Sequence, residues 1–169
     1  MIRHAIVATV PGDPIPKGSL KCVGKRGNRG HVLVEDNTQT KPWRAELVRV
    51  LAQTVQRGVK GQPVTVEITS TIRRPRSHYG TGRNAERVKP SSPVYPTGHG
   101  TGDVDKLARL VLDALEDVGI LGNDAQVIEV TSRKAYAVPG RDPALGMDYP
   151  YVPDALPYPG VVIRVSPYR

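Results

Sequence analysis

The chain has 169 residues, 38% hydrophobic and 24% charged, and its 24 Lys+Arg against 16 Asp+Glu give a formal charge of +8. That length suits one domain and is short for two, the composition is that of an ordinary globular protein, and no run of about 18 apolar residues is available to span a bilayer. Cys22 stands alone and His4, His31, His78 and His99 share no ligand spacing, which excludes disulfide and zinc frameworks, while the basic balance points to a polyanion such as nucleic acid.

Ile2 to Val10 alternate apolar and polar and then meet Pro11-Gly12-Asp13-Pro14, which predicts a strand ending in a turn. The opening is too short and too alternating for a secretory segment, so a cytoplasmic location is expected. Glycine and lysine without apolar periodicity predict a flexible basic loop over 16–30, with Cys22 half-buried, before a short strand at His31 to Glu35 closes a hairpin. Trp43, Leu47, Val50, Leu51 and Val55 recur at three and four, predicting an amphipathic helix from near Thr40 to near Gly58 with Arg44, Arg49 and Arg57 on its polar face. Val64 to Ile72 alternate with period two, as a strand with one buried face does. Arg73-Arg74-Pro75-Arg76 follows, and the Gly/Pro/Ser-rich stretch over 77–102 reads as a second flexible basic loop.

Val104, Leu107, Ala108, Val111, Ala114, Leu115 and Val118 then follow the three-four rule, giving a helix over 104–117 that stops at Gly119. Gln126 to Tyr136 reads as a strand, 139–160 as a Pro/Gly-rich loop and Val161 to Val165 as a last strand. These elements predict an α+β fold, a single domain over 1–169. A mixed sheet of the Val64, Gln126, Val161 and N-terminal strands is covered by the Trp43 and Leu107 helices.

Asp103-Val104-Asp105 opens the second helix, where the free N–H groups and the helix dipole favour carboxylates, so each aspartate alone reads equally well as a cap. Gly122-Asn123-Asp124 adds a third carboxylate after a single helix, and three converging on that helix start call for a cation. Mg2+ takes such oxygen ligands and serves phosphodiester hydrolysis. Arg109 lies four residues after Asp105 on the same face, where it offsets carboxylate repulsion or binds a phosphate. Asp113 continues that face and reads as a surface ion pair with Arg109.

The blocks Gly102-Asp103-Val104-Asp105-Lys106-Leu107-Ala108-Arg109, Asp113-Ala114-Leu115, Asn123-Asp124-Ala125-Gln126-Val127 and Lys134-Ala135-Tyr136 stand in the order and at the gaps of a known family. The chain resembles the RusA family of Holliday junction resolvases, more loosely at Pro11-Gly12-Asp13-Pro14-Ile15-Pro16-Lys17-Gly18 and the last strand. The resemblance implies a homodimeric, Mg2+-dependent crossover junction endodeoxyribonuclease that nicks a four-way DNA junction symmetrically, in recombination, repair or phage DNA processing. It implies no nucleotide cofactor and no membrane partner. By position it assigns Asp103, Asp105 and Asp124 to metal binding and water activation. Arg109 stands at the place of a family lysine, and Lys106 at that of a family asparagine.

Lys134 matches a family lysine and is expected to contact phosphate, with Lys106, Arg73, Arg74, Arg76 and Lys17 as further DNA contacts. Tyr79, Tyr95 and Tyr136 are candidates to stack on unpaired bases. The departures at Lys106 and Arg109 leave open a catalytically silent branched-DNA-binding protein. The same carboxylates would also serve a less selective flap or fork nuclease.

Overall fold

The alternating run Val64–Ile72 forms β4, the strand around which the fold is organised, its even-numbered side chains Val64, Val66 and Ile68 fully buried. This is a computed structural model, and it describes residues 5–25, 31–35, 37–54, 58–59, 61–137 and 152–168. β4 pairs in parallel with β5 (Val127–Tyr136) and antiparallel with β6 (Gly160–Pro167), and β1 (Ile6–Pro11) joins β6 antiparallel, giving the order β1-β6-β4-β5. Parallel neighbours need a crossover, and α2 (Val104–Asp117) supplies it. The helix returns antiparallel to both strands, so its N-terminus lies at the C-terminal ends of β4 and β5, where Leu107 packs with Ile72 and Tyr136.

α1 (Thr40–Thr54) lies beside α2, burying Trp43, Leu47 and Leu51 in the core that Leu110, Val111, Ala114 and Leu115 of α2 share with the sheet. Arg44 clamps the two helices, its guanidinium donating to both carboxylate oxygens of Asp117 at 2.7 and 2.9 Å. The mixed sheet covered by two helices is the α+β single domain expected from the sequence. Its other face is crossed by 152–159: Thr69 donates to the Pro153 carbonyl, and the Leu156 N–H donates to Thr71. Among the described residues no helix is long and apolar enough to cross a membrane.

The helix over 104–117 and the strand over 64–72 have the bounds the periodicity predicts, whereas the loop over 16–30 is corrected. Within 16–30, Leu20–Lys25 forms β2, paired antiparallel with β3 (His31–Glu35) across an irregularity at Gly24, and Cys22 is exposed rather than half-buried. A strand whose partner is the next strand and whose faces both meet solvent carries no hydrophobic alternation to read. Across 77–102 the backbone is tied by a bridge between Tyr79 and Val88, by 3-10 turns at Gly82–Asn84 and His99–Thr101, and by bonds such as Lys89 N–H to the His78 carbonyl. Glycine, proline and serine here specify turns. Val55, Arg57 and most of the 139–160 loop lie outside the described residues.

Candidate functional site

Gly102 precedes the first aspartate with φ +74°, a conformation glycine adopts without strain, and a Cβ there would sit 3.0 Å from the Pro16 ring. Lys134 reaches from β5 to hold this approach, its Nζ donating to the Gly102 carbonyl at 2.7 Å and to Thr101 Oγ1 at 3.2 Å. On the other side, the Pro14–Lys17 segment crosses the first turn of α2, with the Lys17 N–H on the Lys106 carbonyl. Asp103 occupies the N-cap position of α2, yet its carboxylate accepts no capping bond; it is exposed and lies 3.1 Å from Lys106 Nζ. Asp105, exposed in the first turn, has no hydrogen-bond or ion-pair partner among the described residues. The capping role that explains an aspartate at a helix start is therefore not the role these side chains fill.

The third aspartate is fixed by its backbone. Asn123 and Gln126 form a reciprocal capping box around the 3-10 turn Asp124–Gln126. The Gln126 side-chain oxygen accepts the Gly122 and Asn123 N–H groups, and its amide donates to the carbonyls of Val59 (2.9 Å) and Gln62 (3.0 Å). The Asp124 N–H donates to the Glu116 carboxylate. The Asp124 carboxylate is thus held at the surface with no protein partner among the described residues.

Asp105 and Asp124 line one open groove of about 330 Å³ between α2 and β5, together with Arg109, Asp113, Val130 and Ser132. The groove runs lengthwise. Asp124 is anchored to Glu116, eleven residues beyond Asp105, which is about 16 Å along a helix axis, whereas an ion reaches its ligands at about 2 Å. Accordingly, no three acidic, histidine or cysteine groups among the described residues stand close enough to share one ion. Within one chain, the single intervening helix carries Asp124 away from its own start and not back to it. The helix length alone signals this, since 14 residues place its ends about 21 Å apart.

Arg109 is exposed on the groove wall without an ion pair among the described residues, because Asp113, its expected partner, pairs with Lys17 at 2.6 Å instead. Lys17 is thereby engaged within the fold. Arg74, expected at the surface, is 4% exposed: its guanidinium lies 4.3 Å above the Tyr136 ring and donates to the Pro93 carbonyl. Tyr136 is itself 4% exposed, so neither side chain is presented to a nucleic acid, and Tyr136 does not stack on bases. His78 meets the same ring edge-on, and burial together with Arg74 and Lys89 lowers its pKa. Arg73 is exposed and bonded to Asp13 at 2.9 Å; Arg76 and Tyr95 are exposed, and Tyr79 is half-buried.

The residues the sequence reading passed over are the positioning ones: Gln126, Glu116, Thr101 and Ser132, whose buried Oγ beside the groove has no hydrogen-bond partner among the described residues. Of these only Gln126 had a signal, the Asn-x-x-Gln spacing of a capping box.

A search of curated proteins finds no match to this chain. The family model described as Endodeoxyribonuclease RusA matches residues 11–141, a span that holds all three aspartates, the turn that fixes Asp124 and the Lys134 anchor. The chain therefore belongs to the RusA family of endodeoxyribonucleases, enzymes acting on DNA.

Proposed function

We propose that the protein is a magnesium-dependent Holliday junction resolvase that cuts four-way DNA by paired, symmetric nicks as a homodimer, within the cytosol, in recombination, repair or phage DNA processing. The observation that carries this reading is the state of the carboxylates. Among the described residues Asp105 and Asp124 are exposed without protein partners on one groove, and Asp103 at the N-cap does not cap, in a chain of net charge +8. Their all-oxygen donor chemistry fits a hard divalent cation; Asp103 and Asp105 at the start of α2 would hold it, and Asp124 would join them only across the two copies of the homodimer. Bound Mg2+ supplies a more acidic water and charge neutralisation on the scissile phosphate.

The remaining work falls to the chain's own cations. Arg109, on the groove wall and without an ion pair among the described residues, offers a bidentate donor to phosphate oxygens. Lys106, 3.1 Å from Asp103, balances that carboxylate and turns to phosphate when Asp103 is engaged elsewhere. Lys134, half-buried and already donating to Gly102 and Thr101, acts as a positioning residue for the approach to Asp103 and not as a free phosphate ligand. Exposed Arg73 and Arg76 border that approach as non-specific backbone contacts, with Lys17 joining them only by releasing Asp113.

The test is cleavage of an end-labelled synthetic four-way junction beside linear duplex, flap and fork substrates, with Mg2+ or EDTA. The expected result is paired nicks across the junction that vanish in EDTA and in Asp105→Asn. Equal cutting of flaps and forks would assign a less selective nuclease. Tight junction binding without cutting in any metal would assign a silent binding protein.

A further inference from the structure

Arg109 stands midway between two carboxylates of its own helix, Asp105 four residues before it and Asp113 four residues after it. Side chains at that spacing are neighbours on a helix surface and opposite charges there attract. Among the described residues Arg109 pairs with neither, although all three line one groove. Asp113 instead accepts from Lys17 Nζ at 2.6 Å, with the Arg44 guanidinium further off at 3.8 Å.

Lys17 reaches Asp113 from the segment that crosses the first turn of α2, and that segment is fixed on both sides. The Lys17 N–H donates to the Lys106 carbonyl at 3.2 Å, while the Pro16 carbonyl accepts from the Asn37 side-chain amide at 3.3 Å and from Thr40 Oγ1 at 3.4 Å. The Lys17–Asp113 pair is also partly sheltered, its side chains 35% and 24% exposed. Arg109 competes from the weaker side, because a cation placed four residues N-terminal to its carboxylate works against the helix dipole. The tethered lysine therefore holds Asp113 and the exposed arginine does not.

We infer that Lys17 is a positioning residue for Arg109: by occupying Asp113 it leaves that guanidinium open to a phosphate oxygen of the DNA. The pairing itself is independent of the nuclease reading, and only the identity of the anion rests on it. A divalent cation neutralises Asp105 when it binds, but Asp113 lies two helical turns further on and needs a cation of the chain's own. Without Lys17, Asp113 captures Arg109. Pairs at this spacing are favoured by a factor of about two, so the share of Arg109 left open falls roughly two- to threefold. The uncovered carboxylate also adds negative charge to a groove that must accept phosphate.

The test labels the full-length protein with phenylglyoxal, which modifies accessible guanidinium groups, and scores Arg109 by peptide mass spectrometry. Exposed Arg76 is the internal standard, and Arg74, 4% exposed, reports that the protein is folded. In Lys17→Met the labelling of Arg109 is expected to slow about two- to threefold while Arg74 stays protected. Should Arg74 become reactive in that variant, Lys17→Gln carries the same expectation. Lys17→Arg should keep the wild-type rate, and Lys17→Met combined with Asp113→Asn should restore it. An Arg109 rate unchanged by the loss of Lys17, or not restored in the double variant, overturns the inference. On a four-way junction the loss of Lys17 should weaken binding by a similar factor, and the double variant should match the wild type in affinity and salt dependence. A double variant whose salt slope stays lower by about one would make Lys17 itself the phosphate contact and overturn its positioning role. If Arg109→Gln binds and cuts the junction as the wild type does, the phosphate reading of Arg109 fails, while the labelling still decides which side chain Asp113 holds.

Discussion

Gln126 is the side chain through which the fold holds Asp124, and its removal is predicted to cost both stability and catalysis. It accepts two backbone N–H groups, from Gly122 and Asn123, and donates to the carbonyls of Val59 and Gln62. At about 0.5–1.5 kcal/mol net for each bond, four bonds bound the loss at roughly 2–6 kcal/mol. Gly122 and Asn123 are exposed, so water replaces part of what their N–H groups lose, and Gln126→Ala is expected near the lower limit, about 2–3 kcal/mol. At roughly 2–4 °C per kcal/mol for a chain of this size, the melting midpoint falls by about 5–10 °C.

Freed from the capping box, Asp124 drifts, and a displacement near 1 Å in a reacting constellation costs about 10²-fold in rate. The assay pairs thermal unfolding with single-turnover nicking of a labelled junction at a temperature where the variant is folded. Gln126→Glu keeps the two accepted bonds and loses the two donated ones, so it is expected to melt low while recovering much of the nicking rate. A Gln126→Ala protein that melts within 1 °C of wild type and cuts at full rate would refute the reasoning.

Asp103→Asn, Asp105→Asn and Asp124→Asn are each expected to shift stability by no more than about 1 kcal/mol, because none of the three carboxylates caps a helix and, among the described residues, only Asp103 has an ion-pair partner, an exposed one. Each is expected to abolish nicking and the rise in melting temperature that Mg2+ gives the wild type, read by calorimetry with and without the metal. Lys134→Met is expected to slow nicking at least tenfold while junction affinity and its salt dependence stay within about twofold; a salt slope lowered by about one would show a phosphate contact instead. Asp154, bonded to Arg164 at 2.6 Å, has its pKa lowered first by that bond, so its contribution is present above the ordinary carboxylate value and is lost as pH falls through the depressed folded one. Denaturant titrations of wild type and Asp154→Asn should differ by about 1 kcal/mol at pH 7, for a partly exposed pair, and converge at strongly acid pH.

Elements whose burial is local and periodic could be read from the residues alone. Val64–Ile72 and Val104–Asp117 were legible to the residue because one face of each meets the core, and that face imposes period two or the three-four spacing whatever the rest of the chain does. The chemical types at the candidate site were equally legible, since the Asp103-Val104-Asp105 and Asn123-Asp124-Ala125-Gln126 blocks are contiguous. Side-chain partners were set by the packing of distant elements. Lys17 takes Asp113 from Arg109 across 96 residues, and Arg74 turns inward over Tyr136. None of these pairings has a local signature, because each is chosen by which surfaces the crossover of α2 brings together. The same crossover sets Asp105 and Asp124 towards opposite ends of one groove, a separation fixed by the rigid rise of the helix between them.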